Sequence, residues 1–150
     1  MIPASALGRN GSVAPSNRIV LGGVGVGRRG QKVLDAFLKQ KDAQFVAAAD
    51  PQKDRREVIK RQADRYYGSK DCAVYDDMSG VLDRDDIDAV LVTTGDRWHA
   101  TASIYAARAG KDIYCEKPCA MNIQECQELD DNIKKHERVF QAGTQRRRRQ

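Results

Sequence analysis

Residues Arg18 to Gly30, RIVLGGVGVGRRG, restrict this chain more than any other stretch. An apolar run, Ile19 to Leu21, meets a cluster of glycines, and a helix-like pattern begins at once. Within it Gly25-Val26-Gly27-Arg28-Arg29-Gly30 fits G-x-G-x-x-G. Where a strand turns into a helix, each glycine has its own task. The first permits the tight turn, the second lets backbone approach a pyrophosphate, and the third lets helix pack on strand. The pyrophosphate then rests on free N–H groups at the helix N-terminus, where the macrodipole is positive. Glycine-rich turns are common, so the surrounding pattern has to decide.

That pattern alternates. The spacing predicts strands over Arg18 to Val24, Gln44 to Ala49, Ala73 to Tyr75, Ile87 to Thr93, Asp112 to Cys115 and Arg138 to Ala142. Between them fall helices from about Arg28 to Gln40, Gln52 to Tyr66, Met78 to Leu82, Arg97 to Ala109 and 122 to 136. Val33, Leu34, Phe37 and Leu38 share a face of the first; Val58 and Ile59 anchor the second. Asn122 can cap the last, with Glu125 at N3 and Ile123, Cys126, Leu129 and Ile133 as its apolar stripe. Strands that alternate with helices argue for an α/β, doubly wound parallel sheet, a Rossmann fold. The expected strand order is 3-2-1-4-5-6, with ligand above the carboxyl ends between strands one and four.

Composition excludes several classes. The 150 residues suffice for one domain with a real core. No apolar run approaches the ~20 residues of a membrane span, so no membrane partner is expected. The net charge of +5 comes mostly from Arg146 to Arg149, a basic tail that leaves the body nearly neutral. The aromatics are not interleaved with basic residues, so nucleic acid is not an expected partner. Cys115, Cys119 and Cys126 lack paired C-x-x-C spacing and no histidine joins them, so no metal is expected. With Cys72 they read as buried thiols serving as small hydrophobes.

The candidate site residues gather at predicted strand ends. Asp50, twenty residues after Gly30, stands where a carboxylate accepts from adenosine ribose hydroxyls; its plain alternative is a turn aspartate before a proline. A carboxylate there repels a 2′-phosphate and favours NAD over NADP, while Arg28, Arg29, Lys53, Arg55 and Arg56 soften that preference. Thr93, Thr94, Trp98 and His99 follow the fourth strand. His99 is either a neutral hydrogen-bonding group beside the cofactor or an ordinary helix-start residue; Trp98 either flanks a nicotinamide or simply packs. Glu116-Lys117-Pro118 follows the fifth strand. A lysine there can stabilise charge at a substrate oxygen as hydride leaves its carbon, and burial would lower its pKa toward proton transfer. In isolation it reads as a surface residue.

Taken together, VGVGRRG, AAADP, IDAVLVTTGDRWHA, AGKDIYCEKP and VFQAGTQRR resemble the Gfo/Idh/MocA family of NAD(P)-dependent sugar and cyclitol oxidoreductases, from about Arg18 to Arg147. The resemblance implies a catalytic Lys117 near the nicotinamide, with His99 the second catalytic candidate. It implies that Thr93, Thr94, Trp98 and His99 line the cofactor cleft with Glu116 nearby, and that Gln145-Arg146 marks the crossover to a substrate domain. The chain departs from the family at Thr94-Gly95, where Thr-Pro is frequent. Residues 18-145 are thus expected to be the dinucleotide-binding domain and 146-150 the start of a C-terminal α/β substrate domain, otherwise absent.

The first 17 residues read as a flexible arm, similar to the segment that follows a twin-arginine export signal. As given the chain reads as cytoplasmic; a parent bearing that signal would reach the periplasm. The expected full-length protein is a homo-oligomer moving hydride between nicotinamide and a secondary alcohol or keto carbon of a sugar-like substrate. This piece alone is expected to bind cofactor and turn over little. An NAD-dependent glycosidase and a non-catalytic nucleotide-binding module are the alternatives.

Overall fold

The computed structural model describes residues 13–144. Gln145, residues 146–150 and most of the expected N-terminal arm lie outside the described residues.

Six strands, all parallel, form one sheet in the order β3-β2-β1-β4-β5-β6. They are β1 (Ile19–Val24), β2 (Ala43–Ala49), β3 (Ala73–Tyr75), β4 (Ala89–Val92), β5 (Asp112–Glu116) and β6 (Phe140–Gly143). The helices are α1 (Arg28–Leu38), α2 (Lys53–Tyr67), α3 (Ser79–Leu82), α4 (His99–Arg108) and α5 (Ile123–Lys135). The expected order and alternation hold, with element ends moving by a residue or two. The one reorganised element is the predicted helix over Arg97 to Ala109. It opens as a separate 3-10 turn, Asp96–Trp98, and only then becomes α4. The Trp98 N–H closes onto Gly95 O at 2.8 Å, the tighter spacing of a 3-10 turn.

Strand side chains alternate between two cores because the pleat has period two. Val90 and Val92 of β4 and Ala47 and Ala49 of β2 enter a cluster with Val81 and Leu82 of α3 and Ala102 and Ala106 of α4. Leu91 and Ala48 point the other way, into a cluster with Val33, Leu34 and Leu38 of α1 and Ile59 and Ala63 of α2. Leu34 is 1% exposed. Leu34→Ala is expected to remove about 3 kcal/mol of stability, read as a lower denaturant midpoint with an unchanged slope.

The start of α5 is capped as its sequence predicts. Asn122 Oδ1 accepts from the Glu125 N–H at 2.8 Å, and Glu125 Oε2 accepts from the Met121 N–H at 2.8 Å. Its stripe is buried only in part: Leu129 is in the core, but Ile123 is 78% exposed and Cys126 is exposed. Among the described residues α5 packs mainly on α4, which reaches only the inner part of the stripe. The expectation of four buried thiols is therefore corrected: Cys72 and Cys115 are buried, Cys119 is half-buried and Cys126 is outside. Among the described residues no helix is long and apolar enough to cross a membrane.

Candidate functional site

The strands β1 and β4 lie side by side, yet the helices that follow them cover opposite faces of the sheet. Their carboxyl ends therefore part, and a cavity of about 550 Å³ opens there. Gly25, Gly27, Arg28 and Arg29 line it from the first turn, Asp50 and Arg55 from beyond β2, and Thr93, Thr94 and Trp98 from beyond β4. A hollow of about 630 Å³ between α1 and α2, near Arg61 and Arg65, touches none of these strand ends.

The glycines divide their tasks much as the sequence suggests. Gly25 has φ +73°, and a Cβ there would stand 2.4 Å from Thr94 Cα, so both backbone shape and space demand glycine. At Gly30 a Cβ would strike Thr93 Oγ1 at 2.6 Å, which is the close packing of α1 on the strand ends. Gly27 differs. A Cβ there meets nothing closer than Arg55 Nη1 at 3.7 Å, so the fold itself does not need glycine; the missing side chain keeps open the space over the helix start. Gly27 is also the N-cap of α1 and offers no side-chain cap. The first-turn N–H groups thus receive no side-chain cap from Gly27. Val26 puts its side chain into the core and contributes through its backbone.

Asp50 is 3% exposed at the end of β2. Its Oδ2 accepts from the Val26 N–H and its Oδ1 from the Gln52 N–H, each at 2.9 Å. These bonds fasten the glycine turn to the end of β2, and each carboxylate oxygen keeps a second lone pair. Arg55 Nη1 lies 3.8 Å from Oδ2, placing its guanidinium beside both the carboxylate and Gly27. Arg56 turns away and donates to the carbonyls of Asp50 and Pro51.

Beyond β4, the Thr93 hydroxyl donates to Gly25 O and locks the two strand ends together. Thr94 Oγ1 is buried with no hydrogen-bond partner among the described residues, although Thr94 lines the cavity. Trp98 stands 58% exposed at its edge. His99 is 2% exposed and does not line the cavity. Its Nδ1 is 2.6 Å from Pro118 O and its Nε2 is 3.1 Å from Thr94 O. The ring therefore joins the turn after β4 to the turn after β5. In the place expected for His99 stand Thr94 and Trp98.

Glu116 is buried at the end of β5 and accepts from Arg29 Nη2 at 2.6 Å through Oε1. That bond raises the Arg29 guanidinium pKa further, against the opposing effect of partial burial. The pair ties the start of α1 to the Glu116-Lys117-Pro118 turn. Lys117 itself is exposed. The burial expected to tune its ammonium is not provided by the described residues, because it lies just past the strand, beyond the packed layers.

Two features fit a dinucleotide: the space that a Cβ at Gly27 would fill, and the partnerless buried hydroxyl of Thr94. Over residues 19–144 the chain matches the Gfo/Idh/MocA model, described as an oxidoreductase family with an NAD-binding Rossmann fold. The chain belongs to the Gfo/Idh/MocA family. It is 32% identical over 120 residues to 2,7-anhydro-N-acetylneuraminate hydratase of Mediterraneibacter gnavus, covering 80% of this chain and 30% of that one. It is 31% identical over 140 residues to the α-N-acetylgalactosaminidase of Shewanella oneidensis, covering 89% of this chain and 30% of the other. The structure of myo-inositol 2-dehydrogenase from Lactobacillus plantarum superposes with a TM-score of 0.75 at 26% identity, covering 87% of this chain and 37% of that one. The chain spans about a third of the length of these relatives, and the part it matches is the NAD-binding Rossmann domain of the family.

The cleft of this Gfo/Idh/MocA chain has a further wall that the sequence reading missed. Asp76, Asp77 and Met78 line it from beyond β3. The strand β3 has three residues and no motif follows it, so only the strand order, which sets β3 beside β2, could have pointed there. Asp77 accepts from the Ser79 hydroxyl at 2.6 Å and the Ser79 N–H at 2.8 Å, which lowers its pKa. Among the described residues no group of three His, Cys, Asp or Glu side chains could hold a metal ion.

Proposed function

We propose that the full-length protein is an NAD-dependent dehydrogenase of a polyhydroxylated ring, a sugar or a cyclitol. The observation that carries this is the cleft between β1 and β4, where an open glycine cradle, a buried carboxylate and a partnerless hydroxyl face one cavity. The sugar or inositol names of the relatives support the substrate class.

In this reading Gly27 and the first-turn N–H groups of α1 hold the pyrophosphate, with Arg28 and Arg55 supplying positive charge beside it. Asp50 accepts from the adenosine ribose. Thr94 gives its hydroxyl the partner it lacks, and Trp98 shields the edge of the cleft. When bound, the nicotinamide takes up or returns a hydride. Lys117 hydrogen-bonds the oxygen on the carbon that exchanges hydride and moves the hydroxyl proton. His99 is a positioning residue, holding the Thr94 and Pro118 carbonyls in fixed relation.

Asp50, Asp76 and Asp77 bring three carboxylates to the adenosine side and disfavour a 2′-phosphate. Titration of Trp98 fluorescence is expected to show NADH bound at least about tenfold more tightly than NADPH, a difference of about 1.4 kcal/mol. No binding by a folded sample would refute the assignment. The full-length protein is then expected to reduce NAD with an inositol or sugar as donor. The Shewanella relative favours a glycosidase as second reading. Release of p-nitrophenol from an aryl glycoside without net NADH formation would establish that reading in place of the first.

A further inference from the structure

Arg28, Arg29 and Arg55 all line the cavity, and the function proposed above uses only the first and the last. Arg29 turns toward the end of β5. Its Nη2 donates to Glu116 Oε1 at 2.6 Å, from a side chain 46% exposed to one 4% exposed. The bond therefore runs from the cavity wall into the packed interior, and its charges strengthen it. Glu116 carries the connection onward. Its Oε1 also faces the Tyr114 hydroxyl at 3.4 Å, and its Oε2 accepts from the Lys117 N–H at 3.3 Å. Tyr114 is itself seated by α1, its ring edge-on to that of Phe37 with centroids 5.2 Å apart. The buried carboxylate thus takes a guanidinium on one oxygen and the backbone of Lys117 on the other. An amide could not do this, because it accepts on one atom only.

We propose that Arg29 is a positioning residue: through Glu116 it fixes the backbone of Lys117, and so sets where the lysine ammonium stands relative to the cleft. The link answers a physical need. Lys117 is exposed, so packing does not confine its long side chain, and its aim depends on the backbone from which it starts. Pro118 has no N–H, so the residue after Lys117 cannot anchor the turn by donating. The turn is held on both sides of the lysine instead. Glu116 grips the Lys117 N–H before it, and His99 Nδ1 meets Pro118 O at 2.6 Å after it. Arg29 is thereby assigned to turnover and not to cofactor affinity, although it stands on the cavity wall. That consequence rests on the function proposed above, in which Lys117 meets the substrate oxygen. The link from Arg29 to the Lys117 backbone does not.

The link is tested first, without substrate, by amide hydrogen exchange in the full-length protein. Arg29→Gln is expected to speed exchange of the Lys117 amide at least about threefold, with the amides of β1 and β4 unchanged. Exchange as slow as in the natural protein would overturn the proposal. Turnover is read next, with myo-inositol or glucose as donor. Arg29→Gln is expected to lower kcat about 10- to 100-fold, the effect of a misplaced catalytic group. The NADH dissociation constant, from Trp98 fluorescence, should stay within about twofold. In a Lys117→Ala background the same change should lower kcat less than about twofold, because nothing is left to position. Equal losses in both backgrounds would mean general damage, and weaker NADH binding with kcat intact would make Arg29 a phosphate ligand. Either result overturns the proposal. Arg29→Gln leaves a buried carboxylate without its cation, which costs stability. Combining it with Glu116→Gln removes both charges, and this pair is expected to fold and to show the same loss of kcat. Normal turnover by the folded pair would also overturn the proposal. Normal turnover by Lys117→Ala would instead remove the function proposed above and leave the exchange result standing, so the two readings fail separately.

Discussion

Replacing Lys117 with alanine in the full-length protein is expected to lower kcat by about 10²- to 10⁴-fold while NADH binding stays nearly unchanged. The expectation comes from where the residue stands. Lys117 follows β5, next to the Glu116 carboxylate that holds Arg29, yet it does not line the cavity and remains exposed. In the proposed function a group so placed acts on the substrate oxygen and not on cofactor affinity, so the loss should fall on turnover. Lys117→Arg keeps a positive charge but surrenders no proton near neutral pH. If electrostatics alone matter, Arg restores most of the rate; if proton movement matters, Arg stays as slow as Ala. Steady-state kinetics with Trp98 fluorescence as the binding assay separates these cases. Normal turnover by Lys117→Ala would remove the residue from the mechanism.

The second large effect is expected at Gly25. Alanine there must adopt φ +73°, which costs an L-residue about 1–2 kcal/mol, and its Cβ would stand 2.4 Å from Thr94 Cα. The obstacle is backbone, so no side chain can swing aside. Either the glycine turn shifts away from β4 or Thr94 moves with the end of that strand. Both movements disturb the Thr93 bond to Gly25 O and the Val26 N–H to Asp50 bond. Gly25→Ala is therefore expected to lower the denaturant midpoint and to weaken NADH binding by more than about tenfold. Gly27→Ala provides the contrast. With only ordinary contacts in the fold, it should leave stability within about 1 kcal/mol and weaken NADH binding alone. Equal stability losses for the two variants would contradict the separate tasks assigned to them.

Much of the fold was legible because parallel strands covered on both faces read as short apolar runs. Ala89–Val92 is such a run, and the glycine motif after Val24 marked the strand that opens the cleft. The place of Asp50 was legible from its spacing after Gly30. What escaped depends on neighbours that are distant in sequence. Asp76 and Met78 reach the cleft only because β3 pairs with β2. The stripe on α5 announced an apolar face, but a stripe cannot say how far a partner covers it, and Ile123 is left outside. His99 was placed at the right strand end. Its burial between the Thr94 and Pro118 carbonyls depends on two turns meeting, which local pattern does not encode. The spacing of Cys115 and Cys119 was visible, but their unequal surroundings were not.

Because all six strands run the same way, each delivers its last residue to one rim of the sheet. The final strand does so beside the fifth, with Gly143 paired to Glu116. Adjacent strands are separated by about 4.8 Å, so the chain leaves β6 almost within touching distance of the turn bearing Lys117. The economy is one of reach. In the proposed function a substrate-holding unit joined at this exit would need no long tether, and shortening or lengthening the junction by even a few residues should shift the substrate carbon relative to Lys117 while leaving the cleft between β1 and β4 unchanged.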